Sequence, residues 1–153
     1  MTDGVEIRLL GPGDAGLVAA MSTMFGRAFD DPTTYTTAPP EAAYLERLLG
    51  GDTFIAIAAL DHGAVVGGLV AYELPKYEQA RSEIYIYDLA VAEGCRRRGI
   101  ATAMIAEIRR IAAVRGAWVV YVQADYVDAP AVALYTKLGV REDVMHFDIA
   151  PME

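Results

Sequence analysis

Arg96, Arg97, Arg98, Gly99, Ile100 and Ala101 stand together in an otherwise acidic chain. A run of apolar and aromatic residues, Ile84 to Val91, comes before them, and a run of good helix formers, Ala101 to Ala113, comes after. Three arginines and a glycine therefore fall where a strand hands over to a helix. Such a turn points free backbone N–H groups outward at the positive end of the helix dipole, and guanidinium groups add charge-assisted hydrogen bonds. The combination suits a pyrophosphate. A Walker loop would need Gly-Lys-Ser/Thr and a dinucleotide fingerprint three glycines, and neither is present. A solvated basic turn is the competing reading.

Asp88 carries the second chemical signal. Strand alternation puts Ile84, Ile86, Asp88 and Ala90 on one face and Tyr85, Tyr87, Leu89 and Val91 on the other. A carboxylate continuing an isoleucine face is costly to bury unless it is paired or hydrated. It lies near the C-terminal end of its strand, where ligand sites of α/β sheets collect. It reads as a base or ammonium acceptor, against the alternative of a loop-bonding aspartate. Glu83 is the second candidate, earlier and on the other face; a bulge would change this alternation. Asp30, Asp31, Glu78, Asp125 and Asp148 lie at element ends or in loops and could form a cation-binding surface, with Tyr77, Tyr87 and Tyr126 as its aromatic candidates, against the plainer reading of each acid as a solvated surface group. His62, His146 and Cys95 give no zinc spacing, so no metal is expected.

The elements that must position these groups follow from periodicity and turn chemistry. Strands are expected at 5–10, 53–60, 64–74, 82–91, 117–124 and 144–149, and helices at about 14–29, from Pro39-Pro40 to Leu49, at 102–115 and at 129–138. Asp14 reads as a helix cap, Asp30-Asp31-Pro32 as a helix break, and Asp61-His62-Gly63 as a hairpin turn. Antiparallel strands come first and a β-helix-β unit second, so the fold is mixed α/β. With 153 residues, no repeats and no dividing linker, one domain spanning 1–153 is expected. A hydrophobic fraction of 54% argues against disorder, and a net charge of −8 argues against general nucleic-acid binding and suits a cationic substrate or partner, with solubility as the plainer reading. One cysteine, no leader-like start in Met1-Thr2-Asp3-Gly4-Val5-Glu6 and no bilayer-length apolar run set the expectation of a cytoplasmic protein away from the membrane.

Arg96-x-x-Gly99-x-Ala101, following Tyr87-Asp88-Leu89-Ala90-Val91, resembles the acetyl-CoA-binding signature of the GNAT N-acetyltransferases: Arg or Gln, two residues, Gly, one residue, then Gly or Ala. Ala131-Val-Ala-Leu134-Tyr135-Thr-Lys-Leu-Gly139 resembles their second cofactor motif, departing in Asp128, where many members have Asn, and in Val140, a frequent Phe. The segments Leu74 to Gln79, Ser82 to Val91, Tyr121 to Tyr126 and Val144 to Ile149 resemble the aminoglycoside 3-N-acetyltransferases, a similarity running from about Phe25 to Ile149.

The resemblance implies a mostly antiparallel sheet splayed at the cofactor site, with helices on both faces. It implies acetyl-CoA as donor, its pyrophosphate on Arg96, Arg97, Arg98, Gly99, Ile100, Ala101 and Thr102 and its pantetheine arm beside Leu89, Ala90 and Val91. Tyr135 resembles the tyrosine that assists the departing thiolate: a phenol of pKa about 10 can hydrogen-bond a thiolate whose thiol titrates at about 8.5. The acceptor implied is an aminoglycoside amine, the 3-amine of deoxystreptamine, held by Asp88, Tyr87, Glu78, Asp125, Tyr126, Asp148 and Asp31, in a homodimeric resistance enzyme. A polyamine, peptide or protein N-terminus as acceptor, or a non-catalytic CoA-binding sensor, are the other readings.

Overall fold

The computed structural model describes residues 4–153; residues 1–3, part of the stretch read for a leader, lie outside the described residues. Backbone contacts group the chain into two units, Met1–Gln123 and Ala124–Glu153. The first holds a five-stranded sheet in the order β1 (Val5–Leu9), β2 (Phe54–Asp61), β3 (Ala64–Pro75), β4 (Ser82–Val91) and β5 (Ala117–Val122). Every pairing is antiparallel except β4 with β5. The helices are α1 (Ala15–Ala28), α2 (Pro32–Thr36), α3 (Ala42–Leu49) and α4 (Ile100–Arg115). The second unit carries α5 (Ala129–Leu138).

Helices lie on both faces of the sheet, as the resemblance implies. Ile55 to Leu60 of β2 are all buried, which explains why this strand reads as a continuous apolar run rather than an alternation. Ala56, Ala58, Leu60 and Val70 form one core with Val18, Met21, Met24 and Phe25 of α1 and Leu45 and Leu49 of α3. On the opposite face, a side chain at Gly67 would meet Ile100 and Met104 of α4 at 3.1–3.2 Å. On the α1 face, a methyl at Gly68 would lie 2.8 Å from Met21 and 3.0 Å from Phe25. The paired glycines therefore let helices approach both sides of β3 closely.

The hairpin between β2 and β3 closes through His62 at φ +51° and Gly63 at φ +81°, the two positive dihedrals that a type I′ turn requires. Three local expectations differ from the structure. Asp14 precedes α1, but its carboxylate accepts from the Gly11 N–H and Arg8 rather than capping the helix. That task falls to Glu46 of α3, which accepts from the N–H groups of Gly13 (2.8 Å) and Ala15 (3.2 Å). Glu46→Ala should lower stability by about 1 kcal/mol and the Tm by roughly 2–4 °C, read by thermal denaturation; an unchanged Tm would remove the cap from the account.

Asp30-Asp31-Pro32 does end α1, with Asp30 at φ +49°, but it also starts α2: Asp31 accepts from the Thr34 N–H at 3.1 Å and Pro32 occupies the first turn. No strand forms at 144–149. A strand needs a ladder partner, and residues 144–149 pair with none.

Candidate active site

The turn after β4 differentiates its three arginines. The chain leaves Val91, makes a 3-10 turn at Glu93–Cys95, and enters α4 through Gly99 at φ +75°. No side chain caps α4, which leaves its first backbone N–H groups open to a ligand. Arg96 donates its Nε to the Val91 carbonyl at 3.2 Å. Arg98 donates Nη1 to Asp61 Oδ2 at 3.3 Å and ties the turn to the β2–β3 hairpin. Arg97 is exposed and makes no hydrogen bond or ion pair among the described residues. Its backbone sits at φ +64°, a conformation costing a non-glycine residue roughly 1–3 kcal/mol.

The sheet opens beside this turn. β5 pairs with β4 only over Ser82 to Ile86, while β4 runs on to Val91. The backbone of residues 87–91 therefore has no β5 partner, which is the splay the motif implies and an edge on which an extended arm could pair.

Asp88 departs from simple alternation. Val70 pairs with Asp88 but Ala71 pairs with Ile86, so Tyr87 is an extra residue in β4. This bulge turns Asp88 away from the isoleucine face. Cross-strand partners share a face, and Val70 belongs to the core beneath α1 and α3. Asp88 thus lies on the α1 side with Tyr72 and Tyr85, not with Ile84 and Ile86. There the Tyr35 hydroxyl, from α2, donates to Asp88 Oδ1 at 2.8 Å. Burial pushes the Asp88 carboxyl above its ordinary value, and the Tyr35 hydrogen bond opposes that rise.

Tyr35 was not legible as a site residue; the Asp31-Pro32 pair is the signal for the helix that carries it, but the contact spans 53 positions.

Asp88 also differs from Glu83, Glu78 and Asp31 in its partners. Glu83 lies 2.7 Å from Lys76, and Glu78 lies within 3.8 Å of Lys76 and Arg81. Asp31 is engaged as the α2 cap, whose hydrogen bonds from Thr34 hold its carboxyl below its ordinary value. Asp88 has no ion pair among the described residues. Around it runs a series of rings: Tyr72 to Tyr87 at 5.9 Å, Tyr87 to Tyr85 at 5.7 Å, and Tyr85 stacked on Tyr121 at 4.7 Å. Tyr87 is largely exposed, and Tyr85 donates to Gln123. An ionised carboxylate beside exposed aromatic faces is suited to an ammonium group on a sugar.

Within the second unit, Asp128 accepts from the Ala131 N–H and caps α5. Burial, then the Asp128 carboxylate, push the Tyr135 hydroxyl up to about 12, so it is protonated at neutral pH. Tyr126 donates to Asp143 at 3.0 Å beneath the Arg141 guanidinium, and Asp148 lies 2.8 Å from His146. Asp125 contributes a backbone carbonyl to the turn before α5. Among the described residues no group of three His, Cys, Asp or Glu could hold a metal ion, and no helix is long and apolar enough to cross a membrane.

The model of the acetyltransferase (GNAT) family matches residues 20–140. The chain is 55% identical to an aminoglycoside acetyltransferase from an uncultured soil metagenomic sample, over 97% of this chain and 99% of that one, with a TM-score of 0.94. A second such enzyme from an uncultured soil sample, solved with sisomicin, is 28% identical over 98% of each chain with a TM-score of 0.90. A ribosomal-protein-alanine N-acetyltransferase from Brucella melitensis biovar Abortus 2308 is 25% identical, covering 95% of this chain and 98% of its own, with a TM-score of 0.74. No curated protein sequence matches the chain significantly.

Proposed function

The chain belongs to the GNAT acetyltransferase family, and we propose that it transfers acetyl from acetyl-CoA to an amine of an aminoglycoside, in particular the 3-amine of the deoxystreptamine ring. The observation that carries the acceptor class is Asp88: a half-buried carboxylate without a cationic partner among the described residues, flanked by Tyr72, Tyr85 and Tyr87. The two soil enzymes, one solved with sisomicin, favour an aminoglycoside over a polyamine or peptide. The uncapped α4, Arg97 with no partner among the described residues, and the edge of residues 87–91 left without a β5 partner fit the phosphates and arm of acetyl-CoA.

In this reading Asp88 holds the substrate ammonium and takes its proton, directly or through water. The freed lone pair attacks the thioester carbonyl. A backbone N–H of Leu89 to Val91 stabilises the oxyanion. Collapse of the tetrahedral intermediate breaks the C–S bond, the nitrogen gives up its second proton to solvent, and the Tyr135 hydroxyl, kept protonated, hydrogen-bonds the departing thiolate, which takes its proton from solvent. Lifting the Asp88 carboxyl above its ordinary value narrows the mismatch with an amine and makes it a better base. Because both substrates are bound together, most of the rate enhancement comes from positioning. Glu78, Asp31, Asp125, Tyr126 and Asp148 extend the cation-binding surface in this proposal. It also carries with it a homodimer, a single-domain chain, a cytoplasmic location and a role in antibiotic resistance.

The test is release of CoA thiol from acetyl-CoA with gentamicin, sisomicin and other deoxystreptamine antibiotics, beside spermidine and alanine-terminated peptides. Thiol release with the antibiotics and NMR of the product acetylated at the 3-amine are expected. No release with any of them would overturn the substrate, and CoA binding without turnover on any amine would favour a sensor.

A further inference from the structure

Resting on that reading of Asp88, we infer that Tyr35 is a positioning residue for acetyl transfer: its hydroxyl fixes Oδ1 of Asp88 and leaves Oδ2 to receive the substrate ammonium. The hydrogen bond is 2.8 Å long and joins α2 to the bulge of β4. It is the hydrogen-bond donor to this carboxylate among the described residues. Among the described residues, Tyr35 from α2, Tyr72 from β3 and Tyr85 from β4 interact with Asp88, Tyr87 lies beside Tyr72 and Tyr85, Asp31 acts on Tyr35 and Tyr44 of α3 on Tyr72; α1 contributes the apolar Phe25 and Phe29 beside Tyr35. With no cation among them, the phenolic O–H is what the protein offers to the charged form.

The aim of that O–H is built by packing. The Tyr35 ring lies 5.9 Å from Phe25 and 5.7 Å from Phe29. A methyl on Gly26 would come within 3.3 Å of Tyr35 Cβ, so the glycine lets α2 settle against α1. Burial and the Asp88 charge raise the Tyr35 hydroxyl far above its ordinary value, so it stays a donor wherever the enzyme works. One side chain thus serves two separable ends, a ring that anchors α2 and a hydroxyl that fixes the carboxylate.

Tyr35→Phe keeps the ring and removes the hydroxyl. Losing a donor to the ionised form raises the Asp88 pKa, so the acid limb of kcat/KM for the amine should move to higher pH by about one unit. The KM for the amine should rise while that for acetyl-CoA stays the same. The Asp88 carboxyl is also titrated by carbon NMR in the substrate-free protein, where the same upward shift is expected. An unchanged Asp88 titration in Tyr35→Phe overturns the inference whichever amine is the substrate, and a shifted titration with an unmoved acid limb overturns the positioning role. Absence of turnover on aminoglycosides overturns the substrate reading alone, and the pH profile is then taken on whichever amine reacts. A Tm of Tyr35→Phe near that of the wild type, with Tyr35→Ala clearly lower, is expected if the ring carries the anchoring; equal losses in both would contradict the separation.

Discussion

Replacing Asp88 with asparagine is expected to lower kcat for acetyl transfer by roughly a hundred- to ten-thousand-fold, the range for losing a positioned acid–base group. The affinity for acetyl-CoA, read by titration calorimetry, should stay close to that of the wild type. Asparagine preserves the shape of the side chain and can still accept from Tyr35, so α2 keeps its attachment. On the proposed mechanism, what disappears is the charge that would hold the ammonium and the oxygen that would take its proton. Stability should move the other way. Burial raises the folded-state carboxyl above its unfolded value, so the folded protein holds this proton more tightly. That contribution is fully present below the unfolded pKa and is lost as pH rises through the folded one. Removing the charge should therefore leave the Tm at neutral pH equal or higher. A site that gains stability when its acid is deleted is one held in place for chemistry. Near-normal turnover would shift the base to Glu83, where Glu83→Gln would be the next variant, although the Lys76 ammonium already sits 2.7 Å from it.

The path from sequence to this site is uneven for physical reasons. Turns that demand positive dihedrals are written locally, so Asp61-His62-Gly63 and Gly99 fall where expected. The run from Ile55 to Leu60 announces a strand buried on both faces. The Tyr87 bulge is different, because two residues opposing one is decided by β3, and a single extra residue reverses which face the following side chain meets. The reading that placed Asp88 with the isoleucines failed at that point, though it marked Asp88 as an acid out of place. Tyr35 was hidden for a related reason: its role depends on a helix of five residues packing against α1 and touching a strand far along the chain. The pattern at 144–149 carries strand propensity, but pairing is a property of two segments. Only structure separates Glu83 and Glu78, already matched with Lys76 or Arg81, from Asp88, which has no ion pair among the described residues.

The three arginines make the same point, and they yield the second large effect. Arg97→Ala should weaken acetyl-CoA binding by about 10- to 100-fold, the range for losing a charge-assisted hydrogen bond of roughly 1.5–3 kcal/mol. The loss should be larger at low ionic strength, since the attraction between exposed charges weakens as salt is added. Arg98→Ala should cost less, because its guanidinium is already engaged by Asp61, and Arg96→Ala less again, with its Nε on the Val91 carbonyl. Backbone strain gives an independent reading of Arg97. An arginine held at φ +64° lowers stability, and glycine there would not. Arg97→Gly should therefore leave the Tm equal or higher while weakening acetyl-CoA binding as much as Arg97→Ala does. Opposite signs for stability and binding at one position mark a side chain retained for its ligand. Unchanged affinity in both variants, with the Tm raised in Arg97→Gly, would remove the pyrophosphate from this residue and leave the open N–H groups of α4 to hold it alone.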